Sequence, residues 1–199
     1  MRHADRIAIE SQPAATWATR LESETDPQTI ITASVALART GESTNQPLIV
    51  KALQSLDFGS LTESQQLGAL QAYALTFIRL GEPDENQRPT LIAKLNPYFP
   101  GDSPNLNTEL IRVLTYLQSP TVVAKTIKLI KERGAPEVPD WTEIAARNPR
   151  YGKRVKDFME NAPPSREVYY ALMISNARAG WTLEARRSCL ELLNVAANG

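Results

Sequence analysis

Apolar side chains recur along this chain at helical spacing, in short blocks separated by Pro, Gly and capping residues. The block at 106–133, LNTELIRVLTYLQSPTVVAKTIKLIKER, shows the pattern most fully. Leu106, Leu110, Val113, Leu114 and Leu117 share one face, and after Ser119-Pro120 the period restarts with Val123, Ile127 and Ile130. Pro120 suits a first helical position, Ser119 the N-cap before it, and Gly134 the residue that closes the second helix. The block therefore predicts an αα-hairpin. Two helices alone leave their outer faces unburied, so the hairpin is expected to stack on others like it.

The rest of the chain supplies candidates. Residues 1–10 read as a helix already under way, with Ala4, Ile7 and Ala8 on one face. Residues 13–24 predict a second helix with Trp17 and Leu21 on its apolar side. Asp26-Pro27 opens a helix that buries Ile30, Ile31, Ala33, Leu37 and Ala38 and stops at Gly41; its partner uses Leu48, Ile49, Ala52, Leu53 and Leu56. Thr62 and Gln65 form a capping box for a helix running to Gly81 with Leu67, Leu70, Ala74, Phe77 and Ile78 inward. The following helix ends at Leu95 and starts near Arg88, because Pro89 is tolerated only in a first turn. Residues 96–104 read as a loop. After an insertion at 135–163, expected to hold short helices around Asn148-Pro149, the period resumes with Val168, Ala171, Leu172, Ser175 and Ala179, stopped by Gly180. Thr182 caps a last helix burying Leu183, Leu190 and Leu193.

Helix pairs are thus expected at about 1–24, 27–57, 62–95, 105–133 and 164–197, at intervals that suit helical repeats of roughly 33–47 residues. An acidic residue with Pro, a helix of small and aliphatic residues ending in Gly, and a shorter Leu-rich helix, the order that begins at Asp26, is similar to the HEAT repeat. RHADRIAIE resembles the Arg-x-Ala stretch of such a repeat's first helix, so the chain is expected to enter mid-repeat. Together IAIESQP, ALTFIRLGEP, LNTELIRVLTYLQSPTVVAKTIKLI, NPRYGKRV and YYALMISNARAGWTLEARR resemble a helical segment of large exported bacterial proteins. In that family a dehydrogenase-like propeller precedes the segment and a c-type cytochrome module follows it. The resemblance implies an all-α, right-handed αα-superhelix of HEAT-like pairs, 1–199 as a single α-solenoid domain. It also implies an exported, periplasmic location inside a longer polypeptide. The family's haem attachment needs Cys-x-x-Cys-His; Cys189 is followed by Leu-Glu-Leu and the single histidine is His3, so haem is not carried over.

Charge narrows the partners. Lys+Arg and Asp+Glu both number 22, so no overall field draws the chain to nucleic acid or anionic lipid. One cysteine excludes an intrachain disulfide and a Cys-based zinc cluster. No apolar run reaches the roughly 20 residues that span a bilayer, so membrane insertion is not expected.

The strongest local feature is cationic: Arg147, Arg150, Lys153, Arg154 and Lys156, with Tyr151 among them. Arginine forks in such a cluster suit a carboxylate, a phosphate or an acidic partner surface. The same run also reads as a solvated helix face, balanced in part by Asp157 and Glu160. Tyr98, Phe99, Trp141, Tyr151, Phe158, Tyr169, Tyr170 and Trp181 gather in the second half, either as packing for an irregular insertion or as a recognition surface. His3 lacks a second histidine to share a metal, and Cys189, among leucines, reads as a small buried residue. Asp84 with Glu85 and Asp140 with Glu143 fit the first turns of helices, where negative charge offsets exposed amides.

These features predict a non-catalytic scaffold or protein-interaction segment without cofactor or metal, its partner a protein or a neighbouring module of the same polypeptide. An enzyme subdomain with a site near 140–160 is the alternative. Nucleic-acid binding is less favoured and would need Arg147 to Lys156 to align with Lys125, Lys128 and Lys131.

Overall fold

The computed structural model describes residues 2–133 and 165–198, and among them the secondary structure is helical with no strand. Nine α-helices are described: α1 (Arg2–Glu10), α2 (Pro27–Thr40), α3 (Gln46–Ser55), α4 (Glu63–Leu80), α5 (Gln87–Leu95), α6 (Pro104–Tyr116), α7 (Val122–Arg133), α8 (Ser165–Ile174) and α9 (Leu183–Asn198). The chain divides into two compact units, Met1–Leu117 and Gln118–Gly199. The division falls between α6 and α7, inside the stretch whose sequence pattern pairs them as one hairpin.

In the first unit the helix starts follow the expected chemistry. Asp26 caps α2 by accepting the Thr29 amide at 2.7 Å, with Pro27 at the first helical position. Thr62 and Gln65 form the reciprocal capping box of α4, and Ser103 accepts the Leu106 amide to cap α6. Gly41 ends α2 by proximity rather than by a left-handed turn. Its φ is −84°, and a Cβ there would lie 2.6 Å from the Leu37 carbonyl oxygen and 2.7 Å from Asn45 Oδ1.

The bonds between helices show how they run. Glu63, first in α4, accepts from Ser103 at the start of α6, and Phe77 stacks on Tyr116 near the ends of the same two helices. α4 and α6 are therefore parallel. Arg79 donates to the Arg39 carbonyl at the ends of α4 and α2, and Arg39 pairs with Glu10 at the end of α1, 2.8 Å away. One row of parallel helices, α1, α2, α4 and α6, results. Lys94 at the end of α5 donates to the Gln54 and Leu56 carbonyls at the end of α3, so these two are parallel as well. Gln46 at the start of α3 donates to the Glu82 carbonyl just past the end of α4, so the two rows oppose each other.

Between the rows lies the core: Ile30, Leu37, Ile49, Leu53, Leu70, Leu91, Leu95, Leu110 and Leu114 are buried almost completely. Each such side chain contributes about 1.5–3 kcal/mol relative to exposure. Three of the lateral bonds share one sequence offset. Arg79 to Arg39, Lys94 to Gln54 and Ser103 to Glu63 each join residues 40 apart. The shared offset sets α4 beside α2, α5 beside α3 and α6 beside α4.

Four sequence expectations need correction in this unit. Ala4, Ile7 and Ala8 of α1, read as its apolar face, are exposed. Residues 13–24 form two 3-10 turns, Ala14–Thr16 and Ala18–Glu22, because Trp17 between them takes φ −132°; Trp17 and Leu21 are nonetheless buried. Pro104 belongs to α6 as its first residue, not to the preceding loop. Ile78 points outward, 78% exposed.

In the second unit α7, α8 and α9 pack on one another around Val122, Val123, Ile127, Tyr170, Ala171, Ile174, Ala185 and Cys189. α7 starts at Val122, two residues beyond Pro120. Ahead of it Gln118 takes a left-handed φ of 60°, held by its side chain: Oε1 accepts the Arg178 amide at 2.7 Å and Nε2 donates to the Asn176 carbonyl at 3.3 Å. Gly180, φ 81°, lies so close to Pro120 that a Cβ would be 2.4 Å from the Pro120 carbonyl oxygen. The buried faces differ from expectation. α8 buries Glu167, Tyr170, Ala171 and Ile174 rather than Val168, Leu172 and Ser175, and Ala179 lies past its end. On α9, Ala185 and Cys189 are buried while Leu183 and Leu190 face outward.

Candidate functional site

The cationic cluster Arg147, Arg150, Tyr151, Lys153, Arg154 and Lys156 lies outside the described residues, as do Asp140, Trp141, Glu143 and Phe158. The site that can be built is on the first unit, where α4 and α6 run side by side. Phe77 and Tyr116 stack with ring centroids 5.5 Å apart and planes 8° from parallel, and Tyr73 continues the series with its centroid 6.1 Å from that of Phe77. Beside them Ala74, Ile78, Arg112 and Val113 complete a small apolar dimple of about 70 Å³. Phe77 is buried, Tyr116 is 38% exposed, and Ile78 stands at the rim.

Among the residues that line the dimple Arg112 alone is charged. Arg112 is held by Glu109 through two bonds of 2.8 and 2.9 Å, and Arg88 pairs with Glu82 near the end of α4. Burial, followed by the Glu82 charge, raises the Tyr116 phenol above its ordinary pKa against an opposing effect of Arg88, so it stays protonated at neutral pH. The geometry suits one aliphatic or aromatic side chain laid against a ring edge, with a phenol hydroxyl within reach of a polar group.

Other expected residues have structural roles. Burial lifts the Cys189 thiol pKa, and its Sγ lies 3.9 Å from the Ala171 carbonyl oxygen, which makes it a poor nucleophile. Phe99 and Tyr170 are buried, Tyr98 packs on Phe58 with centroids 4.9 Å apart, and Trp181 Nε1 donates to the Ala177 carbonyl at 2.9 Å. Tyr169 is exposed. Asp84 and Glu85 precede α5 in a turn whose Asp84 carbonyl accepts the Gln87 and Arg88 amides, so they sit ahead of the first helical turn rather than in it. His3 lies in α1. An open cleft between α7 and the start of α9 carries Lys128 and Lys131, matched by Glu132 at 3.6 Å and Glu184 at 3.1 Å. Among the described residues no group of three or more His, Cys, Asp or Glu side chains could hold a metal, and no helix is long and apolar enough to cross a membrane.

Sequence reasoning placed Phe77 and Ile78 together in the core and did not single out Tyr116. The signal that could have found the pair is the sequence offset between neighbouring parallel helices, since Phe77 on α4 and Tyr116 on α6 stand nearly as far apart in sequence as Glu63 and Ser103. Comparison of the chain with protein-family models, with characterised proteins and with solved structures gives no match, so this surface is read from its own residues.

Proposed function

We propose that this chain is a non-catalytic helical-repeat scaffold, a right-handed HEAT-like αα-superhelix, that docks a protein partner or a neighbouring module of a longer exported polypeptide. Its contact is the dimple of Phe77, Ile78 and Tyr116, which receives one apolar side chain, with Arg112 at the rim. The observation that carries this reading is the 40-residue span shared by three bonds between neighbouring helices, beside an apolar dimple left open on the row they form. Repeated pairs stabilise an extended surface, and such surfaces bind by shape with a few aromatic anchors.

The test places a photo-crosslinking amino acid at Ile78 and, as a control, at exposed Lys51 on α3, in cells that make the full protein. One discrete adduct from position 78 and none from position 51 is expected. The partner so identified, once purified, binds at least tenfold more weakly to Ile78→Asp than to the unaltered chain. Equal crosslinking from both positions, or unchanged binding to Ile78→Asp, overturns the proposal. Fractionation of the same cells tests the exported location.

A further inference from the structure

The dimple on α4 and α6 follows from which residues stand level on the two helices. Phe77 meets Tyr116, and on these parallel helices Ala74 and Val113 stand one turn earlier, each three residues before its ring. At the level of the rings the space between the helices is filled, with centroids 5.5 Å apart. At the level of Ala74 and Val113 two small side chains leave a gap, and both line the dimple. Val113 is buried and closes the inner side; Ala74 is half-buried at the mouth, near exposed Ile78. A larger residue in place of Ala74 would occupy the opening, so the smallness of Ala74 keeps it open.

The volume decides what fits. An engineered protein cavity of about 150 Å³ takes up benzene, which sets a scale of about 25 Å³ per carbon. On that scale the dimple, at about 70 Å³, accommodates about three carbons. It also lies far below the roughly 300 Å³ at which small-molecule pockets begin, so its occupant is the end of one side chain. A branched group of about three carbons is the isopropyl end of leucine or valine. A phenyl ring is about twice as large and rigid, so much of its apolar surface would stay in water. The charge at the lining, Arg112, is already paired with Glu109, which leaves shape to make the choice.

We infer that Ala74 is the specificity-determining residue of the dimple, and that the anchor it admits from a protein partner is leucine or valine, not an aromatic residue. This rests on the docking role proposed above and adds to it the identity of the anchor.

Two probes test the selectivity on the full chain without a partner: isopropanol for the branched aliphatic end and phenol for the ring, each titrated while the methyl NMR signals of Ile78 and Val113 are followed. Isopropanol is expected to shift both signals progressively, and phenol to leave them in place. Ala74→Leu adds an isopropyl group to the wall of the dimple and keeps a good helix former. It is expected to abolish the isopropanol response with an equal or higher urea midpoint, a combination that misfolding cannot produce. Val113→Ala removes both methyl groups from the inner side, and phenol is then expected to shift the Ile78 signal. A phenol response in the unaltered chain as strong as that to isopropanol overturns the inference, and so does an isopropanol response that survives Ala74→Leu. Against the partner crosslinked through position 78, Ala74→Leu is expected to bind at least tenfold more weakly. A partner that docks at position 78 through an aromatic anchor sinks the inference and leaves the docking role standing. If position 78 captures no partner while isopropanol is still preferred over phenol, the docking role falls and the size selectivity stands.

Discussion

The first unit and the second are built from helices of similar make, yet they hold together differently. Within α1–α6 bonds between neighbouring helices share one span of 40 residues, as in those from Arg79 to Arg39 and from Ser103 to Glu63. Around α7–α9 the connections are particular to their place: Gln118 grips the loop at 176–178, and Gly180 nests on the Pro120 carbonyl. Inside the row, the inner faces of α2 and α4 are fixed twice, by their own apolar pattern and by neighbours on both sides. In a three-helix cluster the outer helix meets partners on one side only, and leucines can remain outside.

The sharpest way to break this contrast is to truncate one leucine in each unit. Leu110→Ala empties a fully buried position in α6 and is expected to lower stability by about 3 kcal/mol, seen as a lower urea midpoint at unchanged slope. Leu190→Ala is expected to stay within about 0.5 kcal/mol of the unaltered chain. Equal losses would mean that Leu190 is covered within the monomer, and the contrast would fail.

Gly180→Ala comes next in size. A side chain at φ 81° costs about 1–2 kcal/mol before any clash with Pro120 is counted. Hydrogen exchange is expected to speed up in α7, α8 and α9 and to stay unchanged in α2 and α4. A uniform change along the whole chain would show that the two units open as one.

The contrast also explains what the sequence reveals. Ile30, Ile31, Leu37, Leu53 and Leu110 are legible as core because each sits in an apolar stripe with polar residues opposite. α8 is misread by one position. Val168–Leu172–Ser175 and Glu167–Tyr170–Ile174 are both spaced for a helix, and a carboxylate on the inner face argues against the true one. Trp17 and Leu21, four apart, mimic an α-helix while two 3-10 turns bury them. On α4 Ser64, Gln71 and Ile78 share one exposed face, so Ile78 is an apolar residue on a polar stripe, which hydrophobicity alone reads as inward. The dimple is less legible still: its rings, Phe77 and Tyr116, come from two helices, and no local motif announces a stack made between them. The cationic run at 147–156 is conspicuous in sequence and lies outside the described residues.

Smaller effects sharpen the comparison at the helix starts. Thr62→Ala removes the capping box of α4, and Thr182→Ala removes the hydroxyl that accepts the Ala185 amide on α9. Each is expected to cost about 1 kcal/mol in urea unfolding, with no dependence on pH, since neither hydroxyl titrates in the working range. A much larger cost for Thr62 than for Thr182 would show that a lost cap is transmitted along the row and not in the cluster.

Asp26 differs from both because its cap carries a charge. The Thr29 hydroxyl and then the Thr29 amide, each 2.7 Å from Oδ2, favour the carboxylate and hold its pKa below the ordinary 3.8. The folded chain therefore releases this proton more readily than the unfolded one. The resulting stabilisation is fully present above the unfolded value and is lost as pH falls through the lower folded value. Asp26→Asn keeps an acceptor at the cap but cannot titrate. Its stability curve is expected to fall less steeply than that of the unaltered chain below about pH 4, and the gap between the two curves at pH 6 should close on acidification. The Thr182→Ala gap, from the second unit, should stay constant over the same range. If the Asp26→Asn curve parallels the unaltered one through the acid limb, the charge on Asp26 contributes nothing, and the starts of α2 and α9 are held by hydrogen bonding of the same neutral kind.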